Sequence, residues 1–524
     1  MKFGYQGGFD NPSQTYTYFN EVIAVRTNGA VPNRLTQTIV ASTSTNPKFV
    51  RNVLPTAFYG QDQWTAGQLT LQGGIRYDYL LTTYPESKVG GPGYTAAAQP
   101  EIFYPSRSTQ GIHWHDVTTR WGVAYDVFGN GKTAVKFNIG KYMEAFVASN
   151  SDFDLNPLIR TTTSTTRVWT DSNKDFVVNC DLSNPEKQGE CAAMNDKSLG
   201  KEVFTRSYDT GLTTGYGNRP YNWGLGVSVQ QEVAPRVSVN VGYFRNWWGN
   251  WYAVDNRATT AADYTPFSIK APVDPRLPGG GGQVISGLYD VVSTRVGLLD
   301  ELAQHSDNFA KQIENWQGVD VDVSARLRNG LTVRGGTSTG RKLVDACALK
   351  AALPEQGANA NGSNTGLAGD SLVNPYCRVV EPYQTKVSGL VSYTIPKADV
   401  QVSGTWRLNP GASLAANYVT SNAVIAAGPQ PLGRNLSNSN TVTFNLIAPQ
   451  TYFAPRRHSF DMRVGKIIRF GRTRTQVGFD IFNVTNNDEI TTFTQTFSPT
   501  TTTWLNATGI TPARYARFNV QFDF

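Results

Sequence analysis

Arg514-Tyr-Ala-Arg-Phe-Asn-Val-Gln-Phe-Asp-Phe524, the C-terminal stretch of this chain, alternates apolar and polar side chains. Successive side chains of an extended strand point to opposite faces. One face therefore collects the apolar residues Phe518, Val520, Phe522 and Phe524, and the other collects Asn519, Gln521 and Asp523. The stretch predicts a strand with one apolar face that ends on an aromatic residue.

The same alternation recurs on both sides of short turns. Residues 387–395 and 400–408 alternate around Pro396-Lys397, and residues 319–327 alternate up to Arg328-Asn329-Gly330. Asn-Gly between two alternating runs is a strong signal for a β-hairpin. Further turns are predicted near Thr65-Ala66-Gly67, Gly129-Asn130-Gly131, Ala234-Pro235 and Gly471-Arg472.

Long polar segments alternate with these tight turns along the chain. They lie near 83–116, 146–219, 254–310, 346–380, 410–454 and 486–513 and are rich in Ser, Thr, Asn, Gly and Pro. Loops of this length usually carry function. Residues 15–48 predict an additional hairpin outside the main set, with Asn28-Gly29 at its turn.

The composition agrees with a sheet that meets lipid on one face. Charged residues make up 17% and aromatic residues 12% of the chain, and the mean hydropathy is −0.34. No run approaches the ~18 apolar residues of a transmembrane helix. A barrel wall needs only alternate residues to be apolar, whereas a soluble β-sandwich shares the same strand pattern and hides its apolar face against a second sheet.

Two features favour the barrel over the sandwich. Short turns at one rim and long loops at the other are typical of membrane barrels, in which the short side is periplasmic and the long side extracellular. Aromatic residues that prefer the membrane interface lie near the predicted strand ends: Trp64, Trp121, Tyr125, Trp223, Trp247, Trp248 and Trp251. We therefore predict an all-β, antiparallel transmembrane β-barrel domain over 1–524, with about 14 to 16 strands from Lys2–Asp10 to Arg514–Phe524.

Neither nucleic-acid binding nor catalysis is predicted. The net charge of +7 is spread along the chain without a Lys/Arg cluster. None of the four histidines lies beside a Gly-x-Ser-x-Gly elbow. Gly129-Asn-Gly-Lys-Thr133 lacks the spacing of a phosphate-binding loop.

The N-terminus, Met1-Lys-Phe-Gly-Tyr-Gln, has the pattern of a strand and not of a signal peptide. We therefore expect this chain to be a piece of a longer polypeptide, or to have a mature or misassigned start.

Several runs resemble the C-terminal barrel of TonB-dependent outer-membrane receptors, in particular those with an N-terminal carboxypeptidase-regulatory-like domain. They are Phe58-Tyr-Gly-Gln-Asp-Gln-Trp64 with Leu69–Asp78, Arg120–Thr133, and Phe470-Gly-Arg through Gly478–Val484, together with the terminal Phe524. The resemblance implies part of a 22-stranded, plugged barrel, with the plug and the N-terminal strands absent from this chain. It also implies that Phe518, Val520, Phe522 and Phe524 form the signal that the barrel-assembly machinery reads.

The function implied by this resemblance is TonB-dependent uptake across the cell outer membrane. The extracellular loops would bind a nutrient ligand, and TonB would act through a plug outside this chain; the loops do not identify the ligand. Two alternatives stay open: a passive porin-like channel, and a surface adhesin or structural barrel. No cofactor is expected other than a candidate structural calcium ion.

The four cysteines fall into two local pairs, Cys180 with Cys191 and Cys347 with Cys377. Both pairs lie in polar, loop-like segments and match no zinc spacing. We expect two disulfides in an oxidising compartment; free thiols are the alternative.

The candidate calcium ligands are Asp171, Asn173, Asp175 and Asp181. Oxygen ligands at alternate positions resemble the first half of a calcium loop, but Phe176 stands where a glycine is expected. The alternative is an Asx-rich surface turn held by Cys180 and Cys191.

Two further groups are candidates with simpler explanations. His113 and His115 with Asp116 would suit a transition metal, or would be ordinary surface residues. The row Asp320, Asp322, Arg326 and Arg334 would contact a ligand or a plug, or would be lumen charges that compensate one another.

Overall fold

The structure is a computed structural model. It describes residues 1–10, 13–15, 23–28, 31–38, 48–50, 52–89, 102–104, 111–144, 162, 164–182, 184–199, 206–296, 298, 300–327, 330–355, 371–437, 441–470 and 473–523.

One large, mostly antiparallel sheet dominates the described residues. It contains sixteen strands, and all but two follow one another in chain order, each hydrogen-bonded to the next. These are β1 (Lys2–Gly7), β2 (Asn52–Ala66), β3 (Leu69–Thr83), β4 (His113–Asp126), β5 (Thr133–Met143), β6 (Tyr221–Ala234), β7 (Val237–Gly249), β8 (Ile313–Arg326), β9 (Leu331–Asp345), β10 (Gln384–Ile395), β11 (Val400–Asn409), β12 (Arg457–Phe470), β13 (Thr473–Phe482) and β14 (Tyr515–Asp523). The other two are Thr214–Tyr216, which pairs parallel with β4, and Arg378–Val380, which pairs with β9. The predicted all-β, antiparallel architecture is confirmed.

Short turns connect the strands at one end of this sheet. Gly67 adopts a left-handed conformation (φ 56°) between β2 and β3, and Arg236 does so (φ 68°) between β6 and β7. Between β4 and β5, the Asp126 carboxylate accepts hydrogen bonds from the amides of Gly129 (3.1 Å) and Gly131 (2.7 Å). The turn predicted at Gly471-Arg472 lies outside the described residues, as do Arg328 and Asn329.

Long connections join the strands at the other end, so the predicted alternation of short turns and long loops is present. They run over 8–51, 84–112, 144–220, 250–312, 346–383, 410–456 and 483–514. Small sheets form within these connections. Two-stranded sheets pair Ser13–Thr15 with Lys48–Val50, Ser87–Val89 with Ile102–Tyr104, Tyr264–Lys270 with Val284–Val291, and Ile490–Phe493 with Ala507–Ile510. Three-stranded sheets consist of Ile23–Asn28, Val31–Thr38 and Ser164–Val168; of Arg206–Tyr208, Glu301–His305 and Tyr252–Asn256; and of Asn417–Ser421, Thr441–Asn445 and Thr496–Phe497. The pair Ile23–Asn28 and Val31–Thr38 is the predicted additional hairpin, with Gly29 outside the described residues.

Helices in the described residues are short. They are α1 (Thr210–Thr213), α2 (Cys347–Ala352) and α3 (Asn422–Ala426), with 3-10 turns at Ala261–Asp263, Pro278–Gly280, Ser293–Arg295, Ser306–Asn308 and Ser371–Val373. Within these residues, no helix has the length and apolar character needed to cross a membrane.

The large sheet has one apolar and one polar face. Phe137, Val227, Tyr243 and Val319 lie opposite one another in register across β5 to β8, and all four are exposed. Three residues further along these strands, Gln230, Asn240 and Asp322 form a row on the opposite face. A continuous exposed apolar surface of this kind requires an apolar environment around it.

The register divides the aromatic residues near the strand ends between the two faces. Trp223 and Trp247 lie opposite each other on the apolar face with their rings stacked at 6.2 Å. Trp248 pairs with Asn222 on the polar face, where the Lys342 ammonium lies 5.8 Å from its ring. Adjacent residues of a strand cannot share a face, so Trp247 lies on the apolar face and Trp248 on the polar face.

The long connections enclose a hydrophobic core of their own, which the sequence patterns did not predict. Residues from 250–312, 346–383, 410–456 and 483–514 contribute to it, and we call this unit the loop cap. Its buried members are Phe267, Ile269, Ala271, Leu277, Ile285, Leu288, Val373, Ala416, Ile425, Leu432, Phe444, Leu446, Ile447, Phe497 and Trp504.

Candidate functional site

Arg434 joins two connections of the loop cap. Its guanidinium pairs with the Asp290 carboxylate and also donates to the Val291 carbonyl (3.1 Å) and the Ser437 hydroxyl (2.7 Å). The Ser437 amide donates to the same carboxylate of Asp290 at 3.1 Å. Asp290 is buried, so these donors replace the hydrogen bonds that its carboxylate would make to water, and they attach 250–312 to 410–456.

A second guanidinium attaches the connection 483–514 to the same unit. Arg276 donates to Asp274 through Nε (2.9 Å) and Nη2 (2.6 Å), and also to the carbonyls of Ser498 (2.9 Å) and Thr501 (2.6 Å). The hydrogen bonds from Arg276 lower the pKa of Asp274. Trp504 Nε1–H donates to the Ala415 carbonyl at 2.9 Å, so three connections meet here.

Helix α2 brings a buried amine into the cap. Lys350 Nζ donates to the Asn374 carbonyl and lies 5.7 Å from the Tyr289 ring, and burial lowers the pKa of Lys350 to about 8. The Tyr376 hydroxyl donates to the Asn445 carbonyl at 2.9 Å, and burial raises the pKa of Tyr376 to about 12. The Cys347–Cys377 disulfide closes this part of the cap, with a Cα–Cα distance of 4.7 Å.

A second hydrophobic cluster joins the long connections to the polar face of the large sheet. Trp114 of β4 is buried there, and its Nε1–H donates to the Leu212 carbonyl at 2.9 Å. The cluster combines wall residues with residues from three connections: Val53, Leu80, Ile112, Trp114, Leu212, Tyr252, Val254 and Ala303. The connections therefore fold over the polar face at the end where the loops lie.

A buried ion pair strengthens this attachment. Asp116 of β4 is 1% exposed, and Arg219 Nη1 lies 3.9 Å from its carboxylate. The same guanidinium lies 5.6 Å from the Trp114 ring. Arg219 thus holds the end of the connection 144–220 against the polar face of β4.

A basic cavity of about 410 Å³ opens on the polar face near β1. Lys2, Arg76 and Arg120 contribute cations, and none of its lining residues is acidic. Arg76 is paired with Asp78 (Nη2 to Oδ1, 2.8 Å) and donates to Gln6 (3.0 Å), and the Arg120 guanidinium lies 4.6 Å from the Tyr142 ring. Fixed guanidinium groups beside amide side chains suit carboxylate or phosphate groups.

A second charged group lies on the polar face at the other end of the strand order. The Asp480 carboxylate accepts from Arg463 (3.0 Å), Arg517 (3.0 Å) and Asn519 (2.8 Å). It ties β12, β13 and β14 together.

The structure places the predicted charge row on the polar face. Asp320 and Asp322 lie on β8 opposite Ser338 and Gly336, and Arg326 and Arg334 lie opposite Thr332 and Ser324. Within the described part of the chain, no ion pair within 4 Å joins the four. Contact of this row with a ligand or a plug stays a prediction.

The candidate calcium segment forms an Asx-rich turn. Asp175 accepts hydrogen bonds from the Val177 amide (2.8 Å) and from the side chains of Asn179 (3.0 Å) and Asn173 (2.9 Å). The bonds from Val177 and Asn179 hold the pKa of Asp175 below its usual value. Asp171 accepts from the Phe176 amide at 3.1 Å, and Cys180 is disulfide-bonded to Cys191. These contacts favour the alternative of a surface turn, and the calcium site with Asn173 and Asp181 stays a prediction.

The two histidines and Asp116 do not share a face. His113 and His115 lie on the apolar face with ring centroids 4.9 Å apart, and the Tyr77 hydroxyl is 2.7 Å from His115 Nδ1. Asp116 points to the polar face. Among the residues that the structure describes, no group of three or more His, Cys, Asp or Glu side chains is arranged to hold a metal ion.

The predicted assembly signal lies on strand β14. Phe518, Val520 and Phe522 are exposed on the apolar face, paired with Phe479, Val477 and Thr475 of β13. Phe524 lies outside the described residues.

Comparison with known proteins identifies the family. Residues 3–336 match the family model described as "Outer membrane beta barrel domain". This chain belongs to the outer membrane β-barrel family. The match is to a barrel family and not to an enzyme family, and the protein is located in the outer membrane. In such barrels the apolar face meets lipid, the polar face lines the interior, and the long loops are extracellular.

The chain is also similar to solved structures of outer-membrane transporters. The transporter YddB from Escherichia coli is 9% identical with a TM-score of 0.45, and the match covers 99% of this chain and 60% of that one. The ferric-catecholate import receptor Fiu from E. coli K12 is 12% identical with a TM-score of 0.41, and the match covers 99% of this chain and 54% of that one. The iron transporter FrpB from Neisseria meningitidis is 10% identical with a TM-score of 0.42, and the match covers 90% of this chain and 46% of that one. This outer membrane β-barrel chain thus spans about half of those chains' lengths, and comparison with curated proteins found no match.

Proposed function

We propose that this chain forms the wall and extracellular loops of a TonB-dependent outer-membrane receptor that imports a nutrient. The observation that carries the proposal is the loop cap, which has its own buried core and is part of a set of connections folded over the polar face. A passive channel needs an open mouth, whereas a receptor needs an ordered outer surface that recognises its ligand. TonB would act through a plug domain outside the residues of this chain.

The ligand class follows from the polar face. Lys2, Arg76 and Arg120 line a cavity of about 410 Å³ that has no acidic lining residue. We propose a ligand that carries carboxylate or phosphate groups, such as an acidic metal chelate, an acidic oligosaccharide or an acidic peptide. An adhesin would need the loops but would have no use for this cavity in the interior.

Uptake in the source bacterium tests the proposal. Cells with and without the gene, each with and without functional TonB, are supplied with labelled ligands from these three acidic classes at limiting concentration. We expect accumulation of one class to require both the gene and TonB. Equal accumulation in all four strains would contradict the proposal. Accumulation that needs the gene but not TonB would indicate the passive channel.

A variant pair then tests the cavity. Lys2→Gln with Arg120→Gln removes two of its three cations, and each hydrogen bond to a charged group contributes about 1.5–3 kcal/mol. We expect the concentration for half-maximal uptake to rise by roughly tenfold or more. Lys386→Gln with Arg407→Gln is the matched control, because Lys386 and Arg407 lie on the polar face opposite Ser338 and Ser388, outside the cavity lining. The same change in both proteins would contradict a role for the cavity.

A further inference from the structure

Three basic residues lie on the apolar face of the sheet, toward the end with the long loops. Each is close to an aromatic ring: Lys141 Nζ lies 4.5 Å from the Tyr221 ring, the Arg245 guanidinium 6.0 Å from Trp247, and the Arg341 guanidinium 4.8 Å from Tyr383. Such cation–π contacts hold a cation in place without neutralising it.

The strand register joins these residues into one belt across β5 to β9. Lys141 lies opposite Trp223, which lies opposite Trp247. Arg245 lies opposite Gln317, which lies opposite Arg341. Gln317 links the rings on either side, since the Tyr243 hydroxyl lies 3.2 Å from its Oε1 and its Nε2 donates to the Tyr383 hydroxyl at 3.4 Å. We call Lys141, Arg245, Arg341 and these neighbours the basic belt.

In the part of the chain that the structure describes, the cations of the basic belt make no direct contact with a carboxylate. In the described residues, none of the three basic side chains forms an ion pair within 4 Å. A lipid-facing Lys or Arg at the bilayer midplane costs about 2–4 kcal/mol, but the cost falls to about 0–1 near the interface. All three residues lie close to the ends of their strands, which end at Met143, Gly249 and Asp345. The belt therefore lies at the outer interface, where lipid headgroups are.

A cavity adjoins the centre of the belt. It has a volume of about 370 Å³ and is lined by Arg245, Trp247, Trp248, Gln312, Ile313, Glu314 and Asn315. The Glu314 carboxylate is paired with Lys342 Nζ at 2.6 Å, so its charge is already compensated. Arg245 is thus the uncompensated charge at this cavity. Below the belt, the apolar row of Phe137, Val227, Tyr243 and Val319 continues on the same face.

We propose that the basic belt binds the phosphorylated headgroup of an outer-leaflet lipid. The guanidinium groups of Arg245 and Arg341 match phosphate oxygens in a bidentate manner, and Lys141 adds a third positive charge. The apolar row below would contact the acyl chains of the same molecule, which free phosphate lacks. The site lies on the opposite face from the ligand cavity and does not depend on the proposed transport function.

Lipid retention by the natural full-length polypeptide tests this site. The protein is purified from outer membranes in detergent, incubated with bisphosphorylated lipid A or with its dephosphorylated form, and examined by native mass spectrometry. We expect the phosphorylated form to bind more tightly, and an excess of inorganic phosphate over the lipid to leave it bound. The variant Lys141→Gln, Arg245→Gln, Arg341→Gln should weaken binding roughly 10- to 100-fold.

A matched variant controls for total charge. Lys174→Gln, Lys187→Gln, Lys270→Gln also removes three positive charges, from exposed residues of the long connections. This control should retain the lipid as the unaltered protein does, and circular dichroism of both variants establishes that the sheet has formed. Equal retention by the two variants, or equal binding of both lipid A forms, would overturn the proposal. Displacement by inorganic phosphate alone would do so as well, because it would indicate a simple anion site.

Discussion

At the scale of single residues, the structure depends on a few charges removed from water. Lys350 is buried in the loop cap beside the Tyr289 ring and donates to the Asn374 carbonyl. Burial disfavours the charged form of an amine, which lowers the pKa of Lys350 from 10.5 to about 8. The residue is thus a local source of pH dependence in the loop cap.

The sign of this dependence follows from proton linkage. Between pH 10.5 and pH 8 the unfolded cap binds a proton at Lys350 that the folded cap does not, so cap stability rises with pH across this window. Above pH 10 the raised pKa of Tyr376 acts in the opposite direction, because only the unfolded tyrosine ionises there. We therefore expect the protease resistance of the cap to increase from pH 8 to pH 9.5, after correction for protease activity on an unfolded substrate. Lys350→Met should reduce this slope. The exposed Lys270→Met should leave it unchanged, and equal slopes in the two variants would contradict the assignment.

At the scale of the strand, alternation decides which side chains meet lipid. Val241 and Asn240 are neighbours on β7, but Val241 pairs with Val229 and Val321, whereas Asn240 pairs with Gln230 and Asp322. Val241 is exposed on the apolar face. The two positions are adjacent on the same strand, and they differ in the face of the sheet that they occupy.

A pair of substitutions at these positions measures the environment of each face. Val241→Arg should lower the free energy of unfolding of the sheet by about 2–4 kcal/mol, the cost of a basic side chain near the bilayer midplane. Asn240→Arg should change it by less than about 1 kcal/mol, because it faces polar groups including Asp322. Urea unfolding of the full-length polypeptide in lipid vesicles gives both values. A cost of the same size at Asn240 would mean that the polar face is not wet.

At the scale of the whole molecule, the sequence predicted the sheet well and the cap poorly. Period-two alternation and Gly-rich turns are local signals, so runs such as 387–395 and the turn at Gly129 could be located from the chain alone. The cap depends on contacts that are distant in sequence, such as Arg434 with Asp290 across 144 positions. Its strands are short, and their apolar residues are separated by Ser, Thr and Gly, so no periodic pattern marks them. The disulfide partners could be proposed because each pair is close in sequence.

Two separate cores therefore coexist in this protein, and they should lose their structure separately. The sheet directs its apolar residues outward to lipid, whereas the cap directs Phe267 and its neighbours inward, away from water. Phe267→Ala removes a fully buried ring and should destabilise the cap by about 3–5 kcal/mol, whereas Val419→Ala, at a half-exposed cap position, should cost at most about 0.5 kcal/mol. Pulse proteolysis over a urea series, with fragments assigned by mass, follows the cap, and circular dichroism follows the sheet. A shift of the sheet transition equal to that of the cap would contradict independent cores, because it would mean that the loops and the wall unfold as one cooperative unit.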